Sequence, residues 1–401
     1  MVTILQVVPR LDAGGSELAT LEIAQALVKA GATALVVSEG GRMVPEIAAA
    51  GGEIVTLPAA SKNPLTMLAN ARQLTRLVKE RSVDLLHARS RAPAWSALRA
   101  ARRTGRPFVT TYHGAYGEVG PFKTLYNSVM ARGDRVIANS RYTAQVIAER
   151  DGSAQDRIRI IYRGVEGTAF DPAAVDPQAV ERLRAAWGVP AGTRIVLHAA
   201  RLTSLKGQRD LIAAAAQLEH ASALDGSVFI LAGDAPGRDA YREELIGLIE
   251  RHGLSDKVRL VGHCREMPAA FLAAHVAVTT STVPETFGRT SVEAQAMGCP
   301  VIVPDLGALP ETIVAAPQNP DGQSQPAFTG WLVPPRDVSA LADRLAQALA
   351  LSPTERAEIG ARARVHVAAH FTLRQMQGLT LAVYDELLGT DLAEKFRRSL
   401  G

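Results

Sequence analysis

The stretch PETFGRTSVEAQAMGCP, residues 284–300, sets Glu285 and Glu293 on either side of Gly288, ahead of a short apolar run that Gly298 and Pro300 close. One carboxylate precedes a helix and the other falls in its first turn. Thr290 to Glu293 fits a T-x-x-E capping box, which would satisfy orphan amides at the helix start. The same helix start also offers N–H groups and a positive dipole end to a phosphate. Gly288 would let backbone approach a ligand closely. A carboxylate in that turn can accept two hydrogen bonds from a ribose diol. Capping does not explain Glu285, which is suited to gripping sugar hydroxyls. On this reading the pair holds the two ends of a nucleotide sugar, with the diphosphate between them on the helix N-terminus.

Three further clusters carry chemistry. In HAARLTSLKGQRDLI, residues 198–212, Arg201 and Lys206 follow a strand and precede a helix, where two cations can neutralise a leaving diphosphate. An ordinary basic surface loop is the alternative. In PRLDAGGSELATLEIA, residues 9–24, Gly14 and Gly15 join a strand to a helix without forming G-x-G-x-x-G, so the dinucleotide fingerprint is absent. They permit close backbone approach, or they make a tight turn capped by Ser16. In VTTYHGAYGEVG, residues 109–120, His113 ends a strand ahead of a Gly-rich loop, although a lone histidine is more often structural. HARSRAPAWSA, residues 87–97, places His87, Arg89 and Arg91 at a strand end, facing either an anionic acceptor or open solvent.

These clusters need strand ends to sit on, and the sequence supplies them. Continuous apolar runs at 3–9, 34–38, 53–58, 84–88, 107–111 and 135–139 read as parallel strands buried on both faces. Helix-period segments such as 16–30, stopped by Gly31, lie between them. Residues 167–193, with Pro172, Pro177 and Pro190 around one helical segment, read as a linker. A second series starts at 193–200 and continues at 227–233, 257–262, 275–280, 300–304 and 330–334. Residues 315–326 read as an exposed loop, and the chain turns helical from about 337. The expectation is an α/β chain: residues 1–168, a linker at 169–192, residues 193–370 and a helical tail at 371–401. Two such halves would form a cleft at the carboxyl ends of their strands, where ligands of open α/β sheets bind.

Composition narrows the partners. Residues 1–180 carry a net charge of +6 and the remainder −2, so the first half suits an anionic partner or is basic by chance. Aromatics make up 5% and no base-stacking motif occurs, which disfavours nucleic acid. Two cysteines, Cys264 and Cys299, give neither a disulfide framework nor a metal-ligand pattern. MVTILQVVPR reads as a first strand rather than a signal peptide, and no run approaches the ~20 apolar residues of a membrane span, so a cytoplasmic protein is expected.

The run 284–300 resembles the E-x7-E signature of retaining GT-B glycosyltransferases of family GT4, the glycosyl transferases group 1. The order of the other motifs extends the resemblance over nearly the whole chain: GG at 14–15, HG at 113–114, NS at 139–140, GV at 164–165, R-L-x-x-x-K-G at 201–207, AGD at 232–234 and VG at 261–262. The resemblance implies two facing Rossmann-like domains, with the C-terminal helix crossing back to the N-terminal one. It assigns Glu293 to the ribose, Glu285 to the donor sugar, and Arg201 and Lys206 to the diphosphate. Backbone around Phe287, Gly288, Arg289, Thr290 and Ser291 would assist, Gly14 and Gly15 would lie by the phosphates, His113 beside the sugar, and Gly262 and His263 by the nucleobase. One departure is Arg163-Gly164-Val165-Glu166, where relatives commonly carry N-G-V-D, with little mechanistic consequence expected.

The implied activity is retaining transfer of a hexosyl group from a UDP- or GDP-sugar. No D-x-D occurs, and cations with a helix dipole would replace the divalent metal, so no cofactor is expected. The N-terminal domain would take the acceptor. Arg89, Arg91, Arg102 and Arg103 suit an anionic membrane surface and a lipid-linked envelope glycan, such as a lipopolysaccharide core, reached peripherally from the cytoplasmic face. A soluble acceptor, as in trehalose- or sucrose-type synthesis, is the alternative to the lipid-linked one. The rival readings of the activity are a nucleotide-sugar 2-epimerase of the same fold, which needs no acceptor, and a non-catalytic sugar-nucleotide-binding protein.

Overall fold

The apolar runs become strands because each is too short for a stable helix and is rich in Val, Ile and Leu. The computed structural model describes residues 1–12, 14–114, 120–235, 237, 239–317 and 327–400. Parts of two expected loops, 115–119 and 318–326, lie outside the described residues. The chain divides into two units, Met1–Arg163 with Leu373–Gly401, and Gly164–Thr372.

The first unit carries β1 (Thr3–Val7), β2 (Thr33–Ser38), β3 (Glu53–Thr56), β4 (Leu85–Ala88), β5 (Phe108–Tyr112), β6 (Arg135–Ala138) and β7 (Ile158–Ile160). They form one parallel sheet in the order β3-β2-β1-β4-β5-β6-β7. The order reverses beside β1, where Ile4 pairs in register with both Ala34 and Leu85. Buried side chains lie on both faces, Leu5, Val7 and Leu86 on one and Ile4, Val36 and Leu85 on the other, as the continuous apolar runs require. The second face is covered by the helix Gly15–Lys29 and by the C-terminal helix Leu373–Leu388, whose Met376, Leu381 and Tyr384 join its core. Tyr384 Oη lies 2.6 Å from Nδ1 of the buried His87, and Gln377 donates to the Glu22 carbonyl at 2.7 Å. The tail therefore completes the first unit.

The second unit holds β8 (Arg194–Ala199), β9 (Ser227–Ala232), β10 (Val258–Gly262), β11 (Val276–Val278), β12 (Val301–Pro304) and β13 (Gly330–Val333), parallel in the order β10-β9-β8-β11-β12-β13. Residues 169–192, expected as a linker, are folded onto this unit. They contain the helix Pro177–Ala186, and Trp187 and Val189 are buried with Ile195, Leu197 and Phe271. The strand β7 was not expected. It is a short edge strand whose sequence alternates Ile-Arg-Ile, so it lacks the continuous apolar signal.

Candidate active site

The second unit gathers its candidate residues at the carboxyl ends of β8 to β11. After β8 the chain turns through Ala200 and Arg201, and Leu202 N–H bonds the Asp234 carbonyl at 2.9 Å, tying this loop to the end of β9. Gly233 must be glycine here, because a Cβ would lie 1.9 Å from the Ala200 carbonyl oxygen. Next to it Gly262 ends β10 with φ +72°, its carbonyl accepting from Gly233 N–H at 2.8 Å, and His263 follows exposed. Arg201 is exposed, with no ion pair among the described residues.

Lys206 sits on a short helical turn, Ser204–Lys206, that ends at Gly207. Gly207 has φ +67°, and a Cβ there would come within 1.8 Å of the Thr280 carbonyl oxygen. The loop is thus pressed onto the end of β11. Thr280 Oγ1 donates to the Lys206 carbonyl at 2.9 Å, and His198 Nε2 lies 3.1 Å from the same oxygen. Burial pushes the His198 imidazole down to about 4, against the opposing effect of its bond to that carbonyl. A neutral ring with its proton on Nε2 satisfies this geometry, since a carbonyl only accepts. His198, Thr280 and Ser281 were not anticipated as site residues. His198 opens the run 198–212, but its partner Thr280 is 82 residues away.

The result of this anchoring is an ion pair. Lys206 Nζ lies 2.7 Å from Glu285 Oε1, and that oxygen also accepts from the Ser281 hydroxyl. The Glu285 backbone is fixed too, its carbonyl accepting from Ala308 N–H at 2.8 Å beside Gly307.

The helix Arg289–Ala296 begins differently from the capping-box reading. Its cap is Gly288, in the left-handed region at φ +108°, with no side-chain capping bond. Glu293 instead accepts from Arg289 Nε at 2.6 Å. Its side chain is 14% exposed, and burial raises its carboxyl above the usual range, against the pull of Arg289. Among the described residues, the Arg289 and Thr290 backbone amides find no acceptor, while Ser291 N–H already bonds the Gly288 carbonyl at 3.1 Å. Thr290 Oγ1 lies 3.4 Å from the Ala199 carbonyl, placing the helix start beside β8. The Ser291 hydroxyl turns inward to Thr312, and Phe287 is buried against Phe371. At both positions only backbone is left to meet a ligand.

In the first unit, Gly14 caps the helix Gly15–Lys29 in extended backbone; Ser16 lies in the first turn and donates to Glu17 at 2.6 Å, so it is not the cap. Arg163 joins two expected site residues. Its guanidinium donates to the Gly15 carbonyl at 2.9 Å and contacts His113 Nδ1. Burial, then the charges of Arg163 and Arg89, hold the His113 ring well below the usual histidine range. Arg89 is not an acceptor contact. It is 3% exposed and donates twice to Gln6 Oε1, at 3.0 and 2.6 Å. Arg91 donates to Asn127 at 2.7 Å, and Arg102 pairs with Asp134 at 2.9 Å, while Arg103 is exposed.

Comparison with known proteins identifies the family and the fold. Residues 13–167 match the family described as Glycosyltransferase Family 4, and residues 179–366 that described as Glycosyl transferases group 1. The crystal structure of a glycosyltransferase from Rickettsia africae is 34% identical, covers 96% of this chain and 98% of its own, and superposes with a TM-score of 0.87. Anabaena HepE, solved in complex with UDP and glucose, is 24% identical over 96% of this chain and 100% of its own, with a TM-score of 0.79. D-inositol 3-phosphate glycosyltransferase from Mycobacterium tuberculosis is 30% identical over 287 residues, 70% of this chain and 55% of that protein. The chain therefore spans about half the length of the curated relatives it matches. With two parallel-sheet units of the GT-B fold and both matched segments in order, the chain belongs to the GT4-type glycosyltransferases.

Proposed function

We propose that this chain transfers a hexosyl group from a UDP- or GDP-sugar to an acceptor hydroxyl, with retention of anomeric configuration and without a metal ion. The observation that carries this reading is the strand-end cluster of the second unit: the Lys206–Glu285 pair, the exposed Arg201 and the unaccepted amides of Arg289 and Thr290. As the glycosidic C–O bond breaks, negative charge grows on the β-phosphate. Lys206, Arg201 and the helix start stabilise that charge, and they gain most in the transition state. Glu285 grips the sugar, Glu293 the ribose, and backbone near Gly262 and His263 meets the base. No carboxylate reads as a nucleophile, which favours front-face attack assisted by the leaving phosphate. Cations and amides on the diphosphate make a divalent metal unnecessary.

For the acceptor we propose a lipid-linked envelope glycan reached at an anionic membrane surface. A groove of about 520 Å³ in the first unit supports this, with Met67, Trp95 and Leu98 among its lining residues and Lys62, Arg99 and Arg102 supplying charge. Phe122 and Leu125 beside it are 88% and 55% exposed. An apolar chain with a phosphate head group fits that combination. Among the described residues no helix is long and apolar enough to cross a membrane.

The test is nucleoside diphosphate release from a panel of UDP- and GDP-sugars, with and without a lipid-linked oligosaccharide acceptor, and the anomeric configuration of the product by NMR. Acceptor-dependent release with a retained anomer is the expected result. Free sugar formed at full rate without acceptor would replace it with the epimerase reading.

A further inference from the structure

Arg163 touches two residues at once. One guanidinium nitrogen donates to the Gly15 carbonyl at 2.9 Å and also meets His113 Nδ1. A guanidinium has five N–H donors and no acceptor, and it stays protonated in proteins. The contact therefore forces Nδ1 of His113 to be the accepting nitrogen, and the ring proton must sit on Nε2. We propose that Arg163 is a positioning residue that holds His113 as the neutral Nε2–H tautomer, so that the ring meets substrate as a hydrogen-bond donor and does not carry a proton in the transfer. The inference rests on the reading of His113 as a substrate contact.

The surroundings point the same way. Among the described residues, Arg163, Arg89 and His87 act on His113, and each of them disfavours an imidazolium there, as burial does. Arg89 is itself buried and held on Gln6, so its charge is fixed in place. His87 is clamped between Tyr384 and Thr111 at 2.6 and 2.7 Å. An asparagine at 163 would not impose this state. Its amide can donate or accept, so it leaves the ring free to choose a tautomer. The same Arg163 side chain also fixes the Gly15 carbonyl, so the glycine turn and the ring orientation depend on one residue.

The test is a long-range proton–nitrogen correlation spectrum of the full-length protein with nitrogen-15-labelled histidine, recorded without ligand at pH 6 and 7. The His113 signal is assigned as the one lost in His113→Gln. The expected pattern has Nε2 protonated and Nδ1 bare at both pH values. A protonated Nδ1, or an imidazolium at pH 6, overturns the proposal, and this readout needs no folded Arg163 variant. In Arg163→Gln the expected pattern becomes a mixture of tautomers, and Arg163→Lys, which can only donate, restores the single one. Turnover by Arg163→Gln is expected to fall on the order of tenfold through kcat, about the weight of one neutral hydrogen bond, with KM for the donor little changed. An unchanged tautomer in Arg163→Gln also overturns it. Failure of the wild type to bind any nucleoside diphosphate would instead overturn the donor reading, a result separate from the spectrum.

Discussion

Lys206 Nζ lies 2.7 Å from Glu285 Oε1, and both residues are held by loops that glycines and a buried histidine pin to the carboxyl ends of the central strands β8 and β11. The pair is about one quarter exposed on each side, so the ammonium remains open to a ligand. Bound to a diphosphate, Lys206 would share its charge between the phosphate and Glu285. Lys206→Ala should lower kcat/KM on the order of 10²-fold or more. Glu285→Gln should also lower it, and the double variant should lose less than the product of the two single losses, because the residues act as a unit. Steady-state kinetics on the four proteins checks this, and near wild-type turnover by Lys206→Ala contradicts it.

Gly207→Ala should unfold the protein more readily. Its φ of +67° strains any side chain, and the new Cβ would sit 1.8 Å from the Thr280 carbonyl oxygen, so backbone must move. A loss of roughly 2 kcal/mol or more is expected, read as a lower denaturant midpoint with unchanged slope.

Stability should fall as the solution is acidified. His198 is buried and its pKa is depressed to about 4, while the unfolded chain binds the proton near 6.5. Its contribution is therefore complete above about pH 6.5 and is lost as pH falls toward 4, by about 3 kcal/mol for this one group. His87 and His113, also lowered by burial, act in the same direction. Melting temperatures at pH 7, 5.5 and 4.5 test the trend. His198→Gln should flatten it, and an equal slope in that variant would remove His198 as a cause.

The two thiols should differ in access and in chemistry. Burial pushes Cys299 up to about 12 and raises the half-buried Cys264 less. With an aromatic disulfide reagent near neutral pH, native protein should expose at most Cys264, slowly, and denatured protein both. Rapid reaction of two thiols in the native state would contradict the packing of Cys299 against Ala274 and Pro300.

Chelator should leave transfer unchanged, because the proposed charge stabilisation comes from Lys206, Arg201 and the start of the helix Arg289–Ala296. A strict requirement for Mg²⁺ or Mn²⁺, abolished by EDTA, would show that these groups are insufficient.

The strands and the strand-end positions of the motifs were legible because they are local signals: short apolar runs, glycines at turns, cations after a strand. What failed depends on distant partners. Arg89 reads as a loop cation until Gln6, 83 residues away, is seen to bury it. Thr290 to Glu293 satisfies the capping pattern, yet Gly288 takes the cap and Arg289 takes the carboxylate. A real capping box forms at Ser352 and Glu355, with the same spacing. The difference is that Ser352 has extended backbone and opens its helix, whereas Thr290 is already inside one. Arg163 reads as a tolerated departure in the sequence, because nothing local shows that it reaches Gly15 and His113.

The most direct measurement is a calorimetric titration of the metal-free protein with UDP, GDP and ADP, repeated on Glu293→Gln. UDP or GDP is expected to bind clearly tighter than the other two nucleotides, and Glu293→Gln to weaken that binding through the loss of its ribose acceptor. No binding of any nucleotide at millimolar concentration would contradict the placement of a nucleotide sugar between Glu285 and Glu293.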